Sequence, residues 1–429
     1  MKWMGLLIGL ILMVWGCVGS SPPTGDGRLH LTLWHGVNPP TNRDVFLQLV
    51  QEFNQSQSQV VVEPVYVGQP DQQIPKLLAA VVGQATPDLW LYGPSITGRL
   101  VELDALRPVE DFWGASPLRQ EIDPAMLSTM QLGAHLWSVP MSVTNIGVYY
   151  RPSLFRQAGI ERLPQTWDEF RAVAQKLTRD RNGDGTPDQY GIQLPLGRGE
   201  FTVYIWSPFL WSAGGELVLE EESRPQLNTP AAAAALTLWQ DLVRSGAAIL
   251  SAPERGYEED NFIAGRVAMQ ISGSWALGFM EQQRRQRPSF DYGVMPIPIQ
   301  KSLATAFGGD NLFLFRSQPE REQAAWQFME YVMGQRFQTA WARQTGFLPV
   351  NVRAQRSEEY RQFMAEQPNS SIFLQLMSAG RSRPLVSSYP RISEHLGRAI
   401  EATLLQRRSP TAALEEAQQS LNLALEGLR

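Results

Sequence analysis

Strand-like and helix-like segments alternate along this chain, lapse, and then alternate again, which confines it to two α/β units. Leu29, Leu31 and Leu33 recur with the period of two of a half-buried strand, ending at Trp34-His35-Gly36. Phe46, Leu49, Val50 and Phe53 follow at helical spacing. Next come an apolar run at 60–67, a short helical stretch at 74–82 and a buried run at 89–92. Such alternation predicts βαβ units with a mostly parallel sheet, and puts a ligand in the crevice beyond the carboxyl ends of the strands. The pattern restarts at Val148-Tyr149-Tyr150. Thr166 and Glu169 form a capping box for a helix carrying Phe170, Val173, Ala174 and Leu177 on one face. Thr229-Pro230 opens another helix and Gly246 closes it. Strands are predicted at 267–271 and 312–315, and amphipathic helices at 319–332 and 410–425. Extended pieces near 140–147 and 294–306 read as crossings between the units. The first lobe is then 28–143 plus about 296–345, and the second 144–295 plus about 346–429.

Composition narrows the function classes. With 43% apolar and 18% charged residues the chain has a real core. A net charge of −5 speaks against nucleic acid, which wants a basic face. Lys2 precedes an uncharged run from Trp3 to Gly16, shorter than the ~20 residues of a bilayer-spanning helix. Residues 1–16 therefore read as an export signal. Val14-Trp15-Gly16-Cys17 resembles a lipoprotein cleavage box, from which Trp15 departs. Cys17, the single cysteine, becomes the lipidated first residue of the mature chain, followed by a Pro-, Ser- and Gly-rich tether to residue 27. The expected location is the periplasmic or cell-surface side of a bacterial membrane. With Cys17 in the anchor, disulfides and thiolate metal sites are excluded. A monomer is expected.

The residues that carry chemistry favour binding over catalysis. Thirteen Trp are present, each offering a flat apolar face and one N–H donor, which suits either cores or sugar rings. Trp239 and Trp326, inside amphipathic helices, read as core. Hydroxyl-reading groups come from loops: Ser142, Thr144 and Asn145 in the first crossing, and Asp310 after Gly308-Gly309, where glycine lets backbone N–H groups approach closely. Tyr92, Ser274 and Gly309 complete the polar set. Glu200, in Gly197-Arg198-Gly199-Glu200, either binds hydroxyls or is a solvated loop residue. Asp180, Asn182, Asp184 and Asp188, with Gly185, copy the first nine positions of a calcium loop, but position twelve is Gly191 instead of Glu. Either a remote carboxylate completes a structural calcium site or the segment is an Asx-rich turn. No other cofactor is implied. An exported glycoside hydrolase would need two carboxylates across a cleft. Glu200 with Asp310 is the one pair to nominate. His30, His35, His135 and His395 lack a Gly-x-Ser-x-Gly partner, and phosphate-cradling glycine loops are absent. The expectation is that the chain is not an enzyme.

Several short segments, in order across nearly the whole mature chain, resemble one family. They are Trp34-His35-Gly36, Thr86-Pro87-Asp88-Leu89, Pro140 with Tyr149-Tyr150, and Leu154-Phe155-Arg156-Gln157-Ala158-Gly159. Pro164-Gln165-Thr166-Trp167-Asp168-Glu169-Phe170, Gly214-Gly215 and Phe262…Gly265…Ala268-Met269…Gly273-Ser274-Trp275 continue the series. Gly308-Gly309 and Thr345-Gly346-Phe347-Leu348-Pro349-Val350 close it. The family is the family 1 extracellular solute-binding proteins of ABC importers. The resemblance implies the two-lobed, type II periplasmic-binding-protein fold, with mixed sheets flanked by helices and a hinge of crossing segments. It implies a carbohydrate-like ligand carried to permease subunits. The sugar and glycerol-3-phosphate-binding group looks nearest. By this resemblance Trp275 and Tyr204 (with Trp206 as local rival) stack on a sugar, and Trp34 and Phe347 face them across the hinge. Three departures bear on the ligand. Gly68-Gln69-Pro70-Asp71 lacks the aromatic of glycerol-phosphate binders, Phe347 replaces a Tyr, and Pro390-Arg391-Ile392-Ser393 leaves Arg391 as the displaced phosphate reader. Phosphate wants charge-assisted donors. A neutral oligosaccharide, glycoside or polyol is favoured, while Arg381, Arg383 and Arg391 keep a glycerophosphate or phosphodiester as the alternative.

Overall fold

Ten strands build the two main sheets of the computed structural model, which describes residues 27–219, 224–251 and 259–426. The signal at 1–16 and the lipidation at Cys17 lie outside the described residues. The strands are β1 (Leu29–His35), β2 (Val60–Tyr66), β3 (Leu89–Tyr92), β4 (Ser138–Pro140), β5 (Ile146–Tyr150), β6 (Ile192–Pro195), β7 (Ala248–Ser251), β8 (Met269–Gly273), β9 (Gly293–Met295) and β10 (Asn311–Leu314). The first sheet has the order β2-β1-β3-β10-β4, with β1 parallel to β2 and β3, and β10 antiparallel to β3 and β4. The second has the order β7-β6-β8-β5-β9, parallel through β7, β6 and β8, with β5 antiparallel to β8 and β9. Both sheets are mixed, where alternation alone predicted mostly parallel ones. The antiparallel strands enter from the other lobe instead of returning through a helical crossover, so nothing forces them parallel.

Helices cover the sheets for legible reasons. In α1 (Pro40–Ser56), Phe46, Leu49, Val50 and Phe53 are all buried. The next helix, α2 (Pro70–Val82), begins earlier than its periodicity predicts, because Gln69 and Gln72 cap one another reciprocally. In α3 (Trp167–Leu177) the capping box forms, with Glu169 N–H donating to Thr166 Oγ1 and Thr166 N–H to the Glu169 carboxylate, each at 3.3 Å. The helix α4 (Glu200–Ser212) is buried at every residue except Phe201, as an all-round apolar helix must be. Then come α5 (Pro230–Arg244), α6 (Pro319–Met333), α7 (Gln335–Thr345), α8 (Tyr389–Leu404) and α9 (Pro410–Glu426). Of these, α6 and α7 pack on β1 and α1, whereas α8 and α9 pack on α4 and α5. The C-terminal pair thus belongs to the second lobe.

Three stretches of chain join the lobes side by side. Val143 and Leu348 exchange backbone hydrogen bonds of 3.2 and 2.9 Å, and Thr144 and Gly308 exchange bonds of 3.0 and 2.9 Å. These paired crossings form the hinge. One apolar core runs through it, and a smaller cluster around Leu77, Trp90, Leu100 and Phe313 packs in the first lobe. Among the described residues, no helix is long and apolar enough to cross a membrane.

Candidate ligand cleft between the lobes

A cavity of about 150 Å³ lies at the hinge with walls from both lobes. The second lobe supplies Trp275 and Tyr204, whose ring centroids are 6.1 Å apart with planes tilted by 32°. Local structure aims both rings. The strand β8, buried along its length, ends in a tight turn at Ser274–Ala276, and that turn throws Trp275 into the cavity. The turn is pinned from two sides. Ser274 Oγ and Thr144 Oγ1 hydrogen-bond at 2.8 Å, and Asn42 Nδ2, on α1 of the other lobe, donates to the Trp275 carbonyl at 2.9 Å. Tyr204 stands on α4, one turn after Glu200, and its hydroxyl donates to the Ala306 carbonyl at 3.3 Å. A Cβ on Gly308 would overlap that hydroxyl, so only glycine fits there.

The first lobe and the hinge close the other sides. Tyr92 ends β3, stacks on Trp90 at 4.4 Å, and has its hydroxyl 3.4 Å from the Pro70 carbonyl. Gly309 has φ of +125°, a conformation that only glycine adopts readily, and it turns Asp310 toward the cleft. Phe347 lines the same space and stacks on Trp341 at 5.3 Å. Beside this cavity the lobes touch: a Cβ on Gly199, the residue before α4, would overlap the carboxylate of Asp71 on α2.

The charges are unequally satisfied. Glu200 accepts from Tyr389 Oη at 2.9 and 3.0 Å, from Ser393 Oγ, and from Arg383. The Arg383 guanidinium lies 4.3 Å over the Tyr204 ring. Burial opposes its cation most strongly, but Glu200, Tyr389 and Tyr204 together outweigh burial and hold its pKa above the ordinary arginine value. Asp310 is different. Burial pushes its carboxyl up to about 6, against the opposing pull of Arg383. Burial likewise pushes the Tyr92, Tyr204 and Tyr389 hydroxyls up, so all three stay neutral donors.

Of the residues the sequence nominated, Tyr92, Thr144, Glu200, Tyr204, Trp275, Gly309, Asp310 and Phe347 line this cavity. Five do not. Trp34 alternates with buried Leu33 and His35, so its ring points to the other face of β1 and packs with the Trp90 cluster. Ser142 is buried behind the Asp310 amide, at 3.5 Å, and Ser274 behind Thr144. Asn145 donates to the Phe373 carbonyl at 2.7 Å inside the hinge. Arg391, in the first turn of α8, lines a neighbouring space instead. Glu200 is no solvated loop residue but the first residue of a buried helix. Trp206, the rival of Tyr204, is fully buried in the core. Sequence reasoning missed Gln73, Phe201 and, as a cleft residue, Arg383. The Gln69–Gln72 cap that starts α2 was the signal for Gln73.

The 180–188 segment closes on itself. Both Asp180 oxygens accept backbone amides, from Gly183 at 2.7 Å and Gly185 at 2.9 Å, and Asp188 accepts from Arg181 N–H at 2.7 Å. This is the geometry of an Asx-rich turn. Among the described residues, no group of three or more His, Cys, Asp or Glu side chains is set to hold a metal ion.

Comparison with known proteins agrees with the architecture. Residues 48–365 match the family model of the bacterial extracellular solute-binding proteins. A binding protein of Brucella abortus (strain 2308) is 23% identical over 421 residues, covering 97% of each chain. The sn-glycerol-3-phosphate-binding periplasmic protein UgpB of Salmonella typhimurium is 23% identical over 412 residues, covering 90% of each. The solved cyclic alpha-maltosyl-1,6-maltose binding protein of Arthrobacter globiformis superposes with a TM-score of 0.73 at 27% identity, covering 94% of this chain and 100% of that one. These relatives are binding proteins, and the matched family is extracellular. With two mixed α/β lobes hinged around one cleft and a family match over most of its length, the chain belongs to the bacterial extracellular solute-binding proteins.

Proposed function

We propose that the chain is the solute-binding subunit of an ABC importer. It captures a neutral carbohydrate-like solute, an oligosaccharide, glycoside or polyol, and delivers it to a membrane permease. The observation that carries this reading is the tilted Trp275–Tyr204 pair facing an inter-lobe cavity whose other walls bring Thr144 and Asp310. Flat apolar faces beside a few polar groups suit the apolar face and hydroxyl rim of a sugar. The maltosyl-maltose ligand of the Arthrobacter relative supports the same chemistry. The glycerol-3-phosphate of the Salmonella relative is the alternative. Against it, the one cation among the described residues of the cavity wall, Arg383, is already paired with Glu200, and Asp310 adds a second carboxylate. Closure follows because a ligand touching both lobes prefers the closed state.

Binding without catalysis is the companion reading. Asp310 has the raised pKa of an acid catalyst, but the Glu200 oxygens are held by Arg383, Tyr389 and Ser393, which leaves no second free carboxylate among the described residues of the cavity wall. Cys17 is proposed as the lipid anchor, with the following tether holding the lobes clear of the membrane. A thermal-shift screen with maltose, a glycosylglycerol, glycerol-3-phosphate and glycerophosphocholine tests the ligand class. Neutral compounds should raise Tm, and stabilisation by the phosphates alone would overturn the reading. Trp275→Ala should abolish the ligand-induced tryptophan fluorescence change while leaving the far-UV circular dichroism intact. Release of free sugar from a bound glycoside would show the protein to be a hydrolase after all, and a Cys17→Ser chain that still partitions with membranes would remove the anchor.

A further inference from the structure

The aromatic cavity is the smallest of three spaces that meet at one buried ion pair. Beyond Tyr92 and Glu200 lies a space of about 330 Å³, and beyond Arg383 and Gly308 lies another of about 290 Å³, bordered by Thr129, Phe307 and Ser382. Glu200 faces the aromatic cavity and the larger space, and Arg383 faces the aromatic cavity and the hinge-side space. Arg383 also spans the lobes. Its guanidinium covers Tyr204 of the second lobe, while its outer nitrogen is 3.6 Å from where a Cβ on Gly93 of the first lobe would stand.

The pair has no evident structural purpose. Its side chains are only 9% and 10% exposed, and buried ion pairs seldom stabilise a fold better than apolar side chains of equal volume. Glu200 is fully engaged, yet Arg383 Nε is a buried donor without a partner. Such orphaned donors are rare and call for an explanation. That orphaned N–H belongs to a side chain that borders both the aromatic cavity and the hinge-side space.

We propose that the Glu200–Arg383 pair fixes the length of the ligand. It ends the aromatic cavity after the unit stacked on Trp275, and its removal would open that cavity into the hinge-side space, whose Ser and Thr lining suits further sugar hydroxyls. The inference rests on the carbohydrate reading above. Calorimetric titration of the full chain with glucose, maltose, maltotriose and maltotetraose, and with mannose and mannobiose, tests it. The wild type should favour the shorter members of whichever series binds. Arg383→Ala should move the ratio of long-chain to short-chain affinity at least tenfold toward the longer members. The double variant Glu200→Gln/Arg383→Ala, which removes the Glu200 carboxylate together with its cation, should do the same. Adding Ser382→Trp to Arg383→Ala should restore the original ratio by refilling the hinge-side space. An unmoved ratio, with all lengths weakened alike, would make Arg383 a plain ligand contact and overturn the proposal. So would a wild type that already binds longer members as tightly as short ones, a result that needs no variant to fold. Binding of none of these saccharides by the wild type would overturn the carbohydrate reading and the partition together, whereas binding with an unmoved ratio overturns the partition alone.

Discussion

Asp310→Asn separates the stability of the empty protein from its affinity for solute. Burial lifts the Asp310 carboxyl from 3.8 to about 6. That displacement is worth about 3 kcal/mol between the two protonation states, since each pKa unit is worth about 1.36 kcal/mol. The sign follows from proton counting. Between pH 4 and 6 the folded protein holds the proton more tightly than the unfolded chain, so stability from this group falls as pH rises through that window. Above pH 6 the folded state carries the whole penalty, and below pH 4 it carries none. Asparagine cannot ionise and escapes the penalty. Its amide hydrogens need partners, which offsets part of the gain. The variant should therefore unfold in urea with a stability higher by about 1–3 kcal/mol at pH 8, and the gain should vanish at pH 4. Solute affinity should move the other way. With a pKa of about 6, roughly a tenth of the Asp310 carboxylates are ionised at pH 5, so wild-type affinity should drop up to about tenfold between pH 8 and pH 5 if the ligand's hydroxyls bind the anion. The variant should bind weakly at both. A stability gain equal at pH 8 and pH 4, or none at pH 8, would refute the assignment of a strained carboxylate in the cleft.

Two further substitutions report on how the rings are held. Gly308→Ala puts a methyl into the Tyr204 hydroxyl and 3.2 Å from the Thr144 methyl, so it should weaken solute binding tenfold or more by calorimetry while Tm moves by no more than a few degrees. Asn42→Ala removes the donor to the Trp275 carbonyl at a fully buried position. It should cost about 1–3 kcal/mol in urea denaturation and shrink the ligand-induced fluorescence change, because the turn carrying Trp275 loses its tie to the other lobe.

Local patterns were legible wherever one residue type had one cheap reading. The Thr166–Glu169 cap and the Phe46–Phe53 stripe both appear where sequence placed them. Fold class and family followed from order and spacing. Sheet direction did not follow from alternation, though the family resemblance implied mixed sheets, because a strand arriving across a hinge carries the same alternating residues as one arriving by a helix. Trp34 shows how site prediction failed: knowing that it ends a strand does not tell which face it points to. The surroundings of Glu200 were illegible for another reason, since its donors Arg383, Tyr389 and Ser393 lie more than 180 residues away and no local motif announces them. Thr144 and Asp310 were nominated because glycine and polar residues at a crossing have few structural uses, and both line the cavity.

The meeting of Asp71 with Gly199 has a practical consequence. How far this clamshell can shut depends on the bulk at 199, since the Asp71 carboxylate can swing aside for a methyl but a large side chain there would act as a doorstop. A graded set of residues there, from alanine to tryptophan, would hold the molecule ajar by increasing amounts. That offers a dial for tuning a fluorescent solute sensor without touching the residues that line the aromatic cavity.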